Sequence, residues 1–315
     1  MYKKIILLAV LGVCVVLIAE AQQVKKNASK PSSDPFKLEN ALLWEISGNT
    51  LPQPSYLFGT MHIICADDAI LSTPLKAVIE KADKICFEID LDDAGQLMNS
   101  LKFLRMNDGQ KISELLSPGD YSRVKDYIDS HKFPLPLSMM NRFKPYFVSS
   151  LIGERMMDCA TTKGMEQQIM AESGKYNKEI MGLETIEFQA GIFDSIPYEK
   201  QAQELVTYID SIDSYKAVTA TMVEYYKKED LNKLNELLIK SDPGMESYMD
   251  LLLYKRNRSW IDPMQSQMFV QTTLFAVGAG HLGGEKGVIN LLRQKGFTVK
   301  PVKSAGTVAP AGKRT

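Results

Sequence analysis

The sequence predicts an α/β fold: a pseudo-duplicated central mixed β-sheet flanked by helices, with a helical insertion between its two halves. Three observations predict it. Short apolar runs bounded by Gly, Pro and Asn alternate with stretches of helical periodicity near both ends of the chain. The runs "YLFGTMHI" (56–63) and "LFAVGAGHLGG" (274–284) each carry Gly-x-x-His, so two of only three histidines share one context. Each is followed by a helical stretch and a further apolar run, the order strand, turn, helix, strand.

The elements follow in order. "ALLWEIS" and "SYLFGT" are split by the turn cluster "GNTLPQP" and read as two strands. In "STPLKAVIEKAD", Thr73 can cap a helix, Pro74 fits its first turn, and Leu75, Val78, Ile79 and Ala82 repeat at helical spacing. "KICFEIDL" reads as a buried strand. In the mostly helical middle, "SPGDYSRVKDYIDS" opens with a serine cap, and "KPYFVSSLIGERMMDCA" is apolar enough for a core helix. "GMEQQIMAESGK" precedes "EIMGLET", a short strand and turn. Residues 199–240 hold two or three amphipathic helices, and "ESYMDLLLYKRNRSWIDPMQSQM" continues them. "TTLFAVGAGHLGGEKGVINLLRQKGFTVKPV" closes the fold.

The flanks differ in kind. "MYKK", then "IILLAVLGVCVVLIA", then "AEA" at 19–21 has the anatomy of a signal peptide over residues 1–21. The rival is an uncleaved anchor, the one route by which the chain would meet a membrane. Export would place the protein in a periplasm or outside the cell. Residues 22–37 read as a polar linker, 38–302 as the folded domain and 303–315 as a frayed tail. The chain has 315 residues, 45% hydrophobic, enough for a sizeable core. A net charge of -1 without a long basic run argues against nucleic acid or an anionic membrane surface as partner. Oligomeric state is not legible. Beyond the leader lie Cys65, Cys86 and Cys159, so at most one disulfide can form. Thiolate ligation by Cys65 or Cys86 is an alternative to plain burial.

Open α/β sheets bind ligands at the carboxyl ends of their strands. Gly59 and Gly278 would let the chain leave each strand with a backbone that a Cβ forbids, placing His62 and His281 over that rim. Two histidines and a carboxylate make a common open metal site. The carboxylate candidate is Glu88, a charge inside the apolar run "ICFEIDL" that would be costly to bury unpaired; the alternatives are an ion pair with a core Arg or Lys, or a place at the strand's exposed end. Glu184 and Glu187 of "GLETIEFQ" are weaker candidates. So are Arg256 and Arg258 of "YKRNRSW", which read as a solvated face or as an arginine reaching substrate.

Together, "LFGTMH", "CFEID", "GLETIEFQ", "RNRSW" and "FAVGAGHLGGEKGVINLLRQKGFTV" resemble the TraB/GumN family. That family includes the animal TIKI proteases and is distantly similar to erythromycin esterase and ChaN-like proteins. The resemblance implies two Gly-x-x-His motifs facing one cleft. It also implies metal-dependent proteolysis with manganese or cobalt, zinc being a third choice, on a peptide or other small substrate. Carried over by motif, His62 and His281 are the paired histidines and Glu88 the acidic partner, as ligand or general base. Arg256 is the family arginine, with Arg258 the other register. Glu184 and Gln189 match a motif without an assigned role. A metal-independent esterase and a non-enzymatic peptide- or signal-binding protein are the alternatives.

Overall fold

The computed structural model describes residues 35–304, apart from positions 94, 96–99, 101, 132 and 241–245. The expected signal peptide, the linker up to residue 34 and the tail beyond residue 304 lie outside the described residues.

Six strands form one mixed sheet in the order β6-β4-β7-β2-β1-β8. They are β1 (Leu43–Ser47), β2 (Ser55–Thr60), β4 (Lys84–Ile89), β6 (Glu179–Glu184), β7 (Thr273–Gly278) and β8 (Thr298–Pro301). Strands β6, β4, β7 and β2 run parallel, and β1 is antiparallel to both β2 and β8. Every residue of β2 and β7 is buried, as expected of parallel strands covered on both faces. A small ribbon pairs β3 (Ile64–Cys65) with β5 (Thr162–Lys163).

The longer helices are α1 (Thr73–Lys81), α2 (Pro118–Ser130), α3 (Pro145–Glu154), α4 (Met165–Ser173), α5 (Ile186–Ile192), α6 (Tyr198–Asp210), α7 (Ile212–Lys227), α8 (Leu231–Lys240), α9 (Lys255–Val270) and α10 (Val288–Gln294). The cap of α1 lies one residue earlier than the sequence suggests: Ser72 Oγ accepts from Leu75 N–H, and Thr73 is already helical. The apolar stretch read as a core helix is α3, nine of whose ten residues are buried. Residues 198–240 form three helices. Trp44, Leu57, Phe87 and Phe275 stand fully buried at the centre of the main core. No helix among the described residues is long and apolar enough to cross a membrane.

The sheet order does not reproduce a duplication. β4 lies beside β7, whereas its would-be counterpart β8 is separated from β2 by β1. The middle of the chain also adds β6 to the sheet, so it is more than a helical insertion.

A disulfide, the one among the described residues, joins Cys65 to Cys159, with Cα atoms 5.9 Å apart. That removes Cys65 as a thiolate ligand. Cys86 is free and buried, and burial pushes its thiol up to about 12, partly offset by Gln267, so it remains protonated.

Candidate active site

The site lies where three adjacent parallel strands end. Glu88 is the last residue but one of β4, Gly278 the last of β7, and His62 follows two residues after Thr60 of β2. His281 closes a single 3-10 turn, Ala279–His281, directly after β7. A Cβ built on Gly278 would lie 3.2 Å from Glu88 Oε1, 3.5 Å from His281 Cδ2 and 3.6 Å from His62 Nε2. The three groups predicted from sequence therefore surround one atom-sized space.

The glycines work differently from the expectation. Gly278 has φ -51°, and Gly59 is not among the positive-φ glycines. The register pairs Gly59 with Val277 and Thr60 with Gly278, so the two motifs are staggered by one residue. Successive strand residues face opposite sides of a sheet. Gly59 thus faces the Ala279 turn, where a Cβ would come within 3.2 Å of Ala279, while Gly278 faces the site. Both glycines supply room rather than an unusual φ. Gly278→Ala is therefore expected to fold and to abolish turnover or ligand binding, because its methyl would occupy the common space. Full activity in a folded Gly278→Ala protein would exclude that space as the reaction centre.

His281 is fully buried and held by its neighbours. Asn257 Nδ2 donates to the carbonyls of Lys286 (2.9 Å) and His281 (3.3 Å), which leaves Asn257 Oδ1 to accept from His281 Nδ1 at 2.6 Å. That assigns the proton to Nδ1 and the lone pair to Nε2. Nε2 lies 3.3 Å from Arg256 Nη1 and 3.6 Å from Glu88 Oε1. Burial lowers the His281 pKa to about 3 against the attraction of Glu88, with Arg256 and His62 lowering it further, so the ring is neutral. Trp260 packs on it with ring centroids 4.5 Å apart.

Glu88 is bonded at both oxygens. Oε1 accepts from Gly278 N–H (2.8 Å), and Oε2 from Arg256 Nη2 (2.5 Å) and Gln189 Nε2 (3.0 Å). Burial alone would raise its pKa. Arg256, the two imidazoles and the Gly278 N–H outweigh burial and hold the carboxyl well below the usual range. Arg256 also binds Glu184, with Nε 2.9 Å from Oε1 and Nη2 in contact with the same oxygen. Glu184 accepts from Trp260 Nε1 at 3.1 Å. Burial pushes the Glu184 carboxyl upward, Arg256 opposes the rise, and Glu88 adds to it.

The two arginine registers are thereby separated. Arg256 is buried between two carboxylates, while Arg258 is exposed and pairs with Asp250 on the surface. Glu184 and Gln189 gain a role as partners of Arg256 and Glu88, whereas Glu187 faces solvent.

Two residues were missed. Asn257 follows Arg256 and orients His281. Glu166 Oε1 lies 2.6 Å from His62 Nδ1, and both side chains are buried. The sequence holds little signal for it: of the buried residues of α4, Met165, Glu166, Ile169 and Ser173, only Met165 and Ile169 are apolar, and an acid in a first helical turn is ordinary.

The sequence pattern described as the TraB/PrgY/gumN family matches residues 42–301. The chain belongs to the TraB/PrgY/gumN family. The resemblance read from its motifs is borne out. Among curated relatives, this TraB/PrgY/gumN protein is 23% identical to Metalloprotease TIKI1 of Danio rerio, over 93% of this chain and 69% of the relative. It is 23% identical to a Metalloprotease TIKI homolog of Amphimedon queenslandica, over 86% of this chain and 63% of the relative. It is 22% identical to Metalloprotease TIKI2 of Danio rerio, over 89% of this chain and 64% of the relative. The chain thus spans about two thirds of these relatives. No solved structure matches it. The relatives' names support a hydrolase in general.

The donor chemistry suits a divalent cation. Two imidazoles are each bonded through Nδ1 to a side-chain oxygen, the arrangement that leaves Nε2 as ligand. Glu88 adds a carboxylate. As they lie, no three His, Cys, Asp or Glu side chains among the described residues are grouped to hold an ion. Arg256 holds the position on Glu88 that a cation would share.

Proposed function

We propose that this TraB/PrgY/gumN protein is an exported, metal-dependent hydrolase of peptide bonds. The observation that carries the reading is the convergence of His62 Nε2, His281 and Glu88 on the space above Gly278. The relatives named metalloproteases support the reaction class. Export rests on the signal-peptide anatomy of residues 1–21.

His62, His281 and Glu88 would hold a manganese, cobalt or zinc ion, which would supply Lewis acidity toward a carbonyl oxygen and a lowered pKa for water. The chain's own residues do the rest. Asn257 holds the proton on Nδ1 of His281 and leaves the lone pair on Nε2, which lies beside Arg256 Nη1. Glu88 stays ionised and balances positive charge at the centre, where Arg256 is already 2.5 Å away. Glu88 already accepts at both oxygens, from Gly278 N–H, Arg256 and Gln189, which favours the ligand or charge-balancing role over that of general base. Arg256 presents Nη1 beside His281 Nε2 and can donate to an oxygen that gains negative charge.

One observation favours a second reading. Arg256 already provides a cation next to Glu88 and His281, so water could be activated by a neutral imidazole in a metal-independent esterase.

Thermal unfolding with EDTA and then with manganese, cobalt or zinc separates the two. A metal at 100 times its dissociation constant is expected to stabilise the protein by about 2.7 kcal/mol. The shift should vanish in His62→Ala/His281→Ala. An unshifted wild type that still cleaves esters in EDTA would transfer the assignment to the esterase.

A further inference from the structure

The segments 61–66 and 161–166 form a clamp around His62. β3 and β5 pair antiparallel, with Ile64 opposite Lys163 and Cys65 opposite Thr162. The pairing is extended by Ala66 N–H to the Thr161 carbonyl (2.9 Å) and by Met165 N–H to the Met61 carbonyl (3.0 Å). The Cys65–Cys159 bridge closes the same ribbon covalently. At Gly164 the two segments touch: a Cβ there would lie 2.7 Å from the His62 carbonyl oxygen and 3.0 Å from Glu166 Oε2. The clamp delivers Glu166 to His62 with side chains 2% and 6% exposed. It does so at a disadvantage, because Glu166 Oε2 is buried and has no hydrogen-bond partner among the described residues. Packing alone gives no reason to place a half-satisfied carboxylate there.

We propose that Glu166 is a positioning residue. By accepting from Nδ1 it keeps the His62 proton on that nitrogen and aims the Nε2 lone pair at the space above Gly278. The β3–β5 ribbon holds it in place. The inference rests on the reading that His62 acts through Nε2. It also makes the two histidines unequal: His281 is oriented by a neutral amide, His62 by a carboxylate, which makes His62 the stronger donor.

The test uses the full chain labelled with 15N in its histidine rings. In the unsubstituted protein, His62 is expected to carry its proton on Nδ1. Glu166→Ala and Glu166→Leu remove the acceptor and should release that tautomer, while His281 keeps its own. Glu166→Leu fills the volume and serves if the alanine variant fails to fold. Glu166→Gln can still accept through its amide oxygen and should restore the tautomer. Manganese affinity, measured by titration of the ion alone, should fall about 10- to 100-fold in Ala and Leu and less in Gln. An unchanged His62 tautomer in folded Glu166→Leu overturns the positioning role, whatever the metal does. Absence of metal binding in the unsubstituted protein would instead defeat the metal reading, and the tautomer result would still decide this inference.

Discussion

Arg256→Ala is expected to lower the free energy of unfolding by about 3–5 kcal/mol, the usual effect of removing one partner from a buried ion pair. The guanidinium binds Glu88 and Glu184 at once, and all three side chains are at most 5% exposed. Truncation leaves two carboxylates buried against each other, and it frees the Leu252 carbonyl that accepts from Nη1 at 2.9 Å. Lysine would not restore the arrangement, since a point charge on a flexible stem cannot reproduce the fork that meets both acids. Urea unfolding of Arg256→Ala and Arg256→Lys measures the effect. A loss below about 1 kcal/mol in the alanine variant would place the ion-pair network in the range of a solvated surface pair. Turnover should disappear as well, but the stability loss is the informative quantity, because a residue acting on substrate alone would not produce it.

Cys65→Ser/Cys159→Ser is expected to cost about 2–5 kcal/mol, the range for removal of a native disulfide. The bridge spans a sequence separation of 94, so it closes a long loop in the unfolded chain. Unfolding of the oxidised protein, the reduced protein and the double variant should give two matching low midpoints and one high one. Equal midpoints in all three would show that the β3–β5 ribbon holds without its covalent link.

Much of the site was legible in the sequence because burial makes certain residues conspicuous. Glu88 could be picked out as a charge within an apolar strand, and the structure shows the partners that such burial demands. The paired Gly-x-x-His motifs were legible as a pattern. Their relation in space was not, because a one-residue stagger is set by strand register and leaves no mark on either motif alone. The choice between Arg256 and Arg258 depended on which face of α9 turns inward, and both lie in a polar stretch that shows no clear apolar stripe. Glu166 was missed because its partner is 104 residues away and its helix reads as mildly amphipathic with an acid in the first turn, the ordinary composition of a helix start. The pairing of Cys65 with Cys159 follows from a two-residue ribbon, too short to be read from periodicity. The duplicated sheet expected from matching element order fails at β1, which takes the place beside β2 that symmetry would have given to β8.

The bridge between Cys65 and Cys159 also changes the covalent topology of the molecule. Residues 65–159 form a closed ring that contains α1, β4, α2 and α3, and hence Glu88. A protease that cuts the backbone once inside this ring produces no separate fragments. His62 on the N-terminal side and Glu166, Arg256 and His281 on the C-terminal side stay on one molecule until the sulfurs are reduced. A single nick in this third of the chain is then a scar rather than a dissection.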